Sequence, residues 1–489
     1  MKKWMAMLLC LALLLSLTAC GGSPVEEVID PAGEIGTPDA PVTVKIMIKD
    51  VFPDDEYTQL LAKTISEKMA AKGQYVTIEF VEPPASSYAT AVPLAVMNGE
   101  VDADLIYFQG GDKVLADQGL LTDLTPYLEH SPAIQSLMDA SNVAKMESYP
   151  YLLWLAPPRV STPVVRTDWL EGVTSYEQLL ANPTPEQYLL FFKELKEVNG
   201  AEYAFTMYGD LQKLDAFFNH AFGVTGTVVQ ENGQWIFSKA SQAEKAKLAF
   251  YAQLYAEGLL DPDFLTLTWD VVEQRFYDGT AAVIAGTAGG VVQVYDQKMM
   301  SLYGEEAALT VLPPASGVSQ AYQSIDVTKE SRGFAINIDS KVKGAAWAVL
   351  EFMATPEGRI LDKVGLEGVH YTVENGQILF TDKFSGWWAH FWDTTNNFQP
   401  QNPSLAEPVL TAAAADSLEQ VNAYMVMDTN LLIPQEYTPQ WDAMMNLYNE
   451  YATDIVRGVK PVEAFDEFVE KWNQAGGNEM AALLQETFG

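Results

Sequence analysis

The sequence predicts an α/β protein of two or more lobes, the first of them built on a parallel sheet. Three observations carry this expectation. Strand-like and helix-like stretches alternate from residue 42 to residue 108, the order that produces a parallel sheet. The chain has 489 residues, enough for more than one core. Its two cysteines are Cys10 and Cys20, so the body of the chain has no disulfide and must be held by its own apolar core.

Taken in order, Val42, Val44, Ile46 and Ile48 share one face of an alternating run, a strand. A helix follows over Tyr57 to Ala71, with Gly73 as its stop. Val76 to Phe80 alternates again, Ser87 to Met97 suits a second helix, and Ala103 to Phe108 reads as a buried strand. Open α/β sheets bind ligands beyond the carboxyl ends of their strands; here those ends are Lys49-Asp50 and Gln109-Gly110-Gly111.

The middle of the chain is more helical. Thr184-Pro185-Glu186-Gln187 opens a helix with proline in the first turn and a capping-box glutamine, running to Asn199-Gly200. Ser241 with Glu244 opens another, ending near Gly258. Strands are expected over Ala281 to Ala285, Leu309 to Pro314 and Gly333 to Asn337. Thr355-Pro356 and Thr438-Pro439 start helices, the second reaching Arg457, and Pro461 starts one that stops at Gly476-Gly477.

The first residues read as an export signal. Lys2 and Lys3 precede an apolar run from Trp4 to Leu15, shorter than the roughly 20 residues that span a bilayer. The following Leu17-Thr18-Ala19-Cys20-Gly21 resembles the bacterial lipobox, in which the cysteine becomes the lipid-bearing N-terminus. The plainer alternative is a signal cut near Ala19 without lipid. Residues 20–41 are rich in Pro, Gly and acid, a tether composition. The address expected is therefore the extracellular face of the cell membrane, through a lipid anchor.

Without Lys2 and Lys3, 27 basic residues face 65 acidic ones, a net charge of −38. Nucleic acid and anionic membrane surfaces repel such a domain. No phosphate loop, G-x-G-x-x-G or G-x-S-x-G occurs, and His130, His220, His370 and His390 are scattered. No catalytic residue, metal site or cofactor is expected. With 65 acidic residues, carboxylate pairs carry no information about glycoside hydrolysis.

The informative side chains are aromatic. Trp387, Trp388 and Trp392 fall within six residues, and three indoles so close cannot all point inward on one element. Flat aromatic faces suit sugar rings, with polar side chains taking the hydroxyls. Trp154, Trp169 and Trp269 are weaker candidates, since core packing accounts for each as well.

Several stretches together resemble the extracellular solute-binding proteins, family 1, of bacterial ABC sugar importers, and within them the LplA-like lipoproteins. The matching segments are Asn98 to Leu105 with Ala116 to Leu124, Val165 to Leu170, Leu254 to Phe264 (LYAEGLLDPDF), Phe276 to Ala282, Glu367 to Tyr371 (EGVHY) and Ile455 to Gly458. The resemblance implies a periplasmic-binding-protein-like fold, two parallel-sheet lobes joined by a multi-segment hinge and closing on ligand. Residues 42–155 with 326–385 are expected to form one lobe, and 156–325 with 386–489 the other. It implies a non-enzymatic monomer that hands a saccharide, expected to be an oligosaccharide, to ABC permease subunits. The calcium loop that some relatives carry after the helix ending at Asn199-Gly200 is missing here, so no calcium is expected there.

The expected ligand residues are Asp50, Gln109, Arg166, Trp269, Trp387 and Trp388, with lipid on Cys20. An ion pair of Arg166 with Asp168 is an equally good reading of that arginine. Two other functions remain open at this point: presentation of sugar to a sensory receptor, and surface glycosidase activity.

Overall fold

The computed structural model describes residues 35–489 apart from 85–86, 156–158, 324–331, 393–397, 427 and 432. Cys20, the export signal and the tether up to residue 34 lie outside the described residues. In chain order come β1 (Val42–Met47), β2 (Val76–Phe80) and β3 (Leu105–Gln109), then β4 (Ser161–Arg166) and β5 (Tyr203–Phe205). The hairpin β6 (Val228–Glu231) and β7 (Gln234–Phe237) precedes β8 (Ala281–Thr287) and β9 (Leu309–Val311). The chain then returns through β10 (Arg332–Ile336) to β11 (Tyr371–Glu374), β12 (Gln377–Phe380) and β13 (Ser404–Leu405).

Two four-stranded sheets organise the molecule, in the orders β10-β3-β1-β2 and β5-β8-β4-β9. In the first, β1 runs parallel to β2 and β3, as the alternating pattern requires, but β10 is antiparallel to β3. In the second, β5 is parallel to β8, while β4 is antiparallel to both β8 and β9. The expected parallel strands are present in both lobes, within sheets that are mixed. Each sheet has three strands running one way and one opposed. The opposed strand is in both cases the first that the chain lays down after crossing from the other lobe. A strand reached through a crossover helix must run parallel to its predecessor, whereas one arriving from the neighbouring lobe enters from the opposite end.

Separate cores fill the two lobes. One gathers β1, β2 and β3 with Trp347, Leu350 and Met353 of the helix Lys343–Ala354. The other gathers β4, β5 and β8 with Tyr188, Phe191, Phe205, Phe217 and Tyr251. Phe391 and Trp392 belong to the first core, so that lobe continues past the expected boundary at 385. The reason is local: buried Asp362 accepts the backbone N–H groups of His390, Phe391 and Trp392, and the Trp392 indole donates to the Met353 carbonyl.

The helices follow their sequence signals closely. Asp55 accepts the Thr58 N–H at 3.0 Å and opens Glu56–Ala70, whose Leu61, Ile65 and Met69 are buried on one stripe. Thr184 caps Pro185–Asn199, and Tyr188, Phe191, Phe192 and Leu195 bury its inner face. Each such side chain contributes about 1.5–3 kcal/mol through area removed from water. Gly200 ends this helix at a φ of 67°, a left-handed conformation that glycine adopts without strain. The expected stop at Gly476-Gly477 is found: Gly476 leaves helical dihedrals, with φ 158° and ψ −17°. The helix Ala464–Trp472 and the turn after it end there, and a second helix, Asn478–Phe488, starts beyond the break. A Cβ at Gly476 would stand 2.7 Å from Gln440 and 2.8 Å from Met444, so close packing as well as backbone freedom calls for glycine.

Candidate functional site

The carboxyl ends of the parallel strands gather a set of residues in each lobe. In the first lobe, Lys49 and Asp50 follow β1, Gln109 ends β3, and Arg332 begins β10 opposite Gln109. With Tyr107, Trp388 and His390 they line a cavity of about 210 Å³. Asp50 is 3.4 Å from Lys49 and takes a φ of 62° at the turn. Trp388 is 45% exposed and stacks on His390, which burial holds below the usual imidazole pKa. The His390 Nδ1 is buried without a hydrogen-bond partner among the described residues.

In the second lobe the corresponding edge holds Thr287 at the end of β8, Ser161 at the start of antiparallel β4, and the loop after β5. These border a larger cavity, about 740 Å³, lined also by Arg159, Asp210, Lys213, Asp215, Lys239 and Gln323. Lys213 donates to the Ser161 hydroxyl at 3.0 Å. Burial, reinforced by the Arg159 charge and opposed by Asp210, pulls its ammonium pKa down to about 8. Asp210 accepts from the Gln212 N–H and amide, and burial raises its carboxyl.

Both cavities flank the same crossings. Leu155 lies in the first core and Val160 in the second, a separation of at most about 18 Å for five residues of extended chain. The return crossing joins Gln323 to Arg332, and on the first lobe the two crossings pair side by side, Leu153 with Phe334. The Gly333 Cα faces the Leu153 carbonyl so tightly that a Cβ would come within 2.4 Å of its oxygen. Each lobe thus carries a cavity at its strand ends, and paired crossing strands link the two lobes.

The structure brings Asp50, Gln109 and Trp388 to one cavity. Trp269 begins the helix Trp269–Tyr277, which leads back into β8, so it sits at the strand-end edge of the second lobe. It is 48% exposed, and its indole donates to the Tyr295 hydroxyl at 3.2 Å. Trp387 and Arg166 are placed elsewhere. Trp387 is half-buried between His370 and His390, and its indole donates to the Asp362 carbonyl. Arg166 ends β4, and because β4 runs against its neighbours it lies beside Leu309, at the start of β9 and the far edge of the sheet. There it closes a two-pronged contact on Asp168 and stacks on Tyr303.

This arrangement has relatives. Residues 54–360 match the family model described as bacterial extracellular solute-binding protein. The chain belongs to that family. Over its whole length it is 22% identical to Lipoprotein LipO of Bacillus subtilis, covering 98% of that protein. Among solved structures it is similar to an extracellular solute-binding protein from Bifidobacterium longum subsp. infantis (TM-score 0.65, 15% identity, 92% and 98% of the two chains). The N-glycan transport solute binding protein of Streptococcus pneumoniae gives 0.64 at 16%, with 91% and 98% covered. The alginate-binding protein AlgQ2 gives 0.62 at 16%, with 92% and 98% covered. The shared feature is the two-lobed fold.

Within this solute-binding fold, a buried ionic cluster backs the larger cavity. Lys247 is inaccessible and reaches Asp215 at 2.7 Å, Glu244 at 3.0 Å and the Asn219 amide oxygen at 2.6 Å. Lys239 lies 3.3 Å from Asp215 and 3.6 Å from Glu244, and the Tyr448 hydroxyl donates to Glu244. Burial pushes the Asp215 carboxyl up, but the two ammonium groups outweigh it and hold it low. Glu244 therefore does more than follow the Ser241 cap: its carboxylate faces this cluster. Arg159 and Lys213, which meet at the second-lobe cavity, and Arg332, which lines the first-lobe one, were not singled out from sequence, because their placement depends on the crossings. Their one legible signal was position, two of them at strand starts or crossings in a chain poor in basic residues.

Proposed function

We propose that this chain is the lipid-anchored capture protein of an ABC importer, taking a saccharide, and specifically an oligosaccharide, between its lobes and delivering it to a permease. The observation that carries the reading is the composition of the cleft edge. Half-exposed Trp388 shares the first-lobe cavity with Asp50 and Gln109, whose side chains can exchange hydrogen bonds with hydroxyls. Half-exposed Trp269 stands at the strand-end edge of the second lobe, whose cavity holds Asp210 and Gln323. Apolar ring faces beside a few convergent polar groups are what a sugar requires. The cleft joins two lobes through crossing segments, so a ligand touching both favours closure by its contacts to each. Similarity to transport proteins whose names specify glycan or alginate points the same way.

The anchor is Cys20 in this reading, with residues 21–41 as the leash; two or more acyl chains hold such a protein stably on the membrane. The protein itself performs no chemistry. A thermal-shift panel of oligosaccharides, amino acids and peptides tests the ligand class. A saccharide is expected to raise the melting temperature in proportion to the logarithm of its concentration. A response confined to peptides or amino acids, or release of new reducing ends from a bound glycan, overturns the reading. In cells, Cys20→Ala is expected to move the protein from membrane to medium; full retention would remove the anchor from the proposal.

A further inference from the structure

Arg159 and Lys213 stand out among the cleft residues. Both line the 740 Å³ cavity of the second lobe, and their mutual repulsion is one reason the lysine's proton is loosened. Neither makes an ion pair among the described residues. The other charged groups on that surface are already engaged: Asp215 with Lys239 and Lys247, and Asp210 with the backbone N–H and side-chain amide of Gln212. Tyr448, the remaining titratable group there, donates to Glu244.

Composition sharpens the contrast. The whole chain has 65 acidic residues to 29 basic, so an ordinary patch of its surface would be dominated by carboxylates. The cavity instead presents Arg159, Lys213 and Lys239 against Asp210 and Asp215, and the first-lobe cavity adds Lys49 and Arg332 against Asp50. An excess of one sign of charge in a cleft concentrates ligands of the other. A guanidinium forks onto two oxygens of one anionic group, while a neighbouring ammonium acts as a point charge.

Resting on the saccharide reading above, we propose that Arg159 and Lys213 receive an anionic substituent of the ligand, so that the captured oligosaccharide is acidic: a glycan bearing carboxylate or sulfate groups. The pair forms the charged end of the cleft, and Trp269 and Trp388 take the ring faces. An anion there relieves the repulsion between the two cations. A neutral glycan leaves it in place.

The test is calorimetric titration of the full soluble domain with trigalacturonate, sialyllactose and a sulfated galactan oligosaccharide, each beside its uncharged counterpart. An acidic glycan of the first two kinds identifies the carboxylate source; the third identifies sulfate. The acidic member is expected to bind at least tenfold more tightly. Arg159→Gln and Lys213→Met are each expected to erase most of that preference, with Lys213→Arg restoring it and unliganded melting temperatures unchanged. For the acidic glycan, Kd is expected to rise about tenfold between pH 7 and pH 9 as Lys213 loses its proton, and Lys213→Met to be flat over that range. Equal affinity for charged and neutral partners, with no effect of either substitution, overturns the acidic assignment while leaving saccharide capture intact. Binding of no saccharide of either kind overturns both.

Discussion

The indole of Trp388 lies face to face on the imidazole of His390, ring centroids 4.1 Å apart and 12° from parallel. The outer face of the indole is left to the cleft, while its preceding neighbour, Trp387, turns inward onto His370. One segment thus leaves one indole exposed at the first-lobe cavity and packs the other into the lobe. The two should respond oppositely to truncation. Trp388→Ala is expected to weaken glycan binding by about 1–2 kcal/mol with the melting temperature little changed. Trp387→Ala is expected to cost about 3 kcal/mol of stability, through the lost ring packing and the lost donor to the Asp362 carbonyl. Calorimetric titration and denaturant melts on both variants separate these outcomes; equal affinity losses would place Trp387 in the cleft as well.

Arg166 gives the complementary case. Its guanidinium is fixed by Asp168 and sits 4.2 Å from the Tyr303 ring, at the sheet edge remote from the cleft. Arg166→Gln is expected to reduce stability by about 2 kcal/mol, because Asp168 loses a charge-assisted partner and the ring its cation. Ligand affinity is expected to stay within twofold. A tenfold rise in Kd at unchanged stability would contradict this placement.

These two positions show what could be read from the sequence and what could not. Alternation at Val42 to Ile48 and Val76 to Phe80, and the caps at Thr184 and Ser241, are local signals, and the structure follows them within a residue or two. Lys49-Asp50 and Gln109 reach the cleft because a parallel strand's direction is set by the crossover before it. Arg166 also ends a strand, but β4 arrives from the other lobe and runs the opposite way, which nothing near residue 166 records. Trp387 and Trp388 are chemically identical neighbours. Their divergence follows from Asp362 gripping the backbone of residues 390–392, a contact across nearly thirty positions. Arg159 and Lys213 converge through Ser161 and the loop after β5, so no spacing rule reveals them.

The buried cluster behind the cavity yields a stability prediction. Among the described residues, Lys247 is the fully buried cation that touches both Asp215 and Glu244. Removing it leaves two buried carboxylates short of countercharge, one of them at the cavity wall. Lys247→Met is expected to destabilise the second lobe by about 3–5 kcal/mol. Differential scanning calorimetry should show that lobe's transition moving down while the first lobe's stays put; a loss below 1 kcal/mol would mean that Lys239 alone suffices.

The final prediction concerns acid. Glu194 accepts the Ser175 and Thr174 N–H groups at 2.7 and 3.0 Å, with a further bond from the Thr174 hydroxyl, and so caps the helix Ser175–Ala181 from another helix. Bonds from Ser175, then from Thr174, hold its carboxyl at about 2 against an ordinary 4.5. A depressed folded-state pKa means that the unfolded chain binds the proton more readily, so the contribution is complete above pH 4.5 and is lost as pH falls toward 2. Glu194→Gln is therefore expected to lower the melting temperature at pH 7, and the gap from the parent protein to close progressively below pH 4.5 until the two coincide near pH 2. The carboxylate is partly exposed, so solvent screening keeps the effect modest. A gap that stayed constant from pH 7 to pH 2.5 would show that the glutamine loses shape complementarity rather than charge.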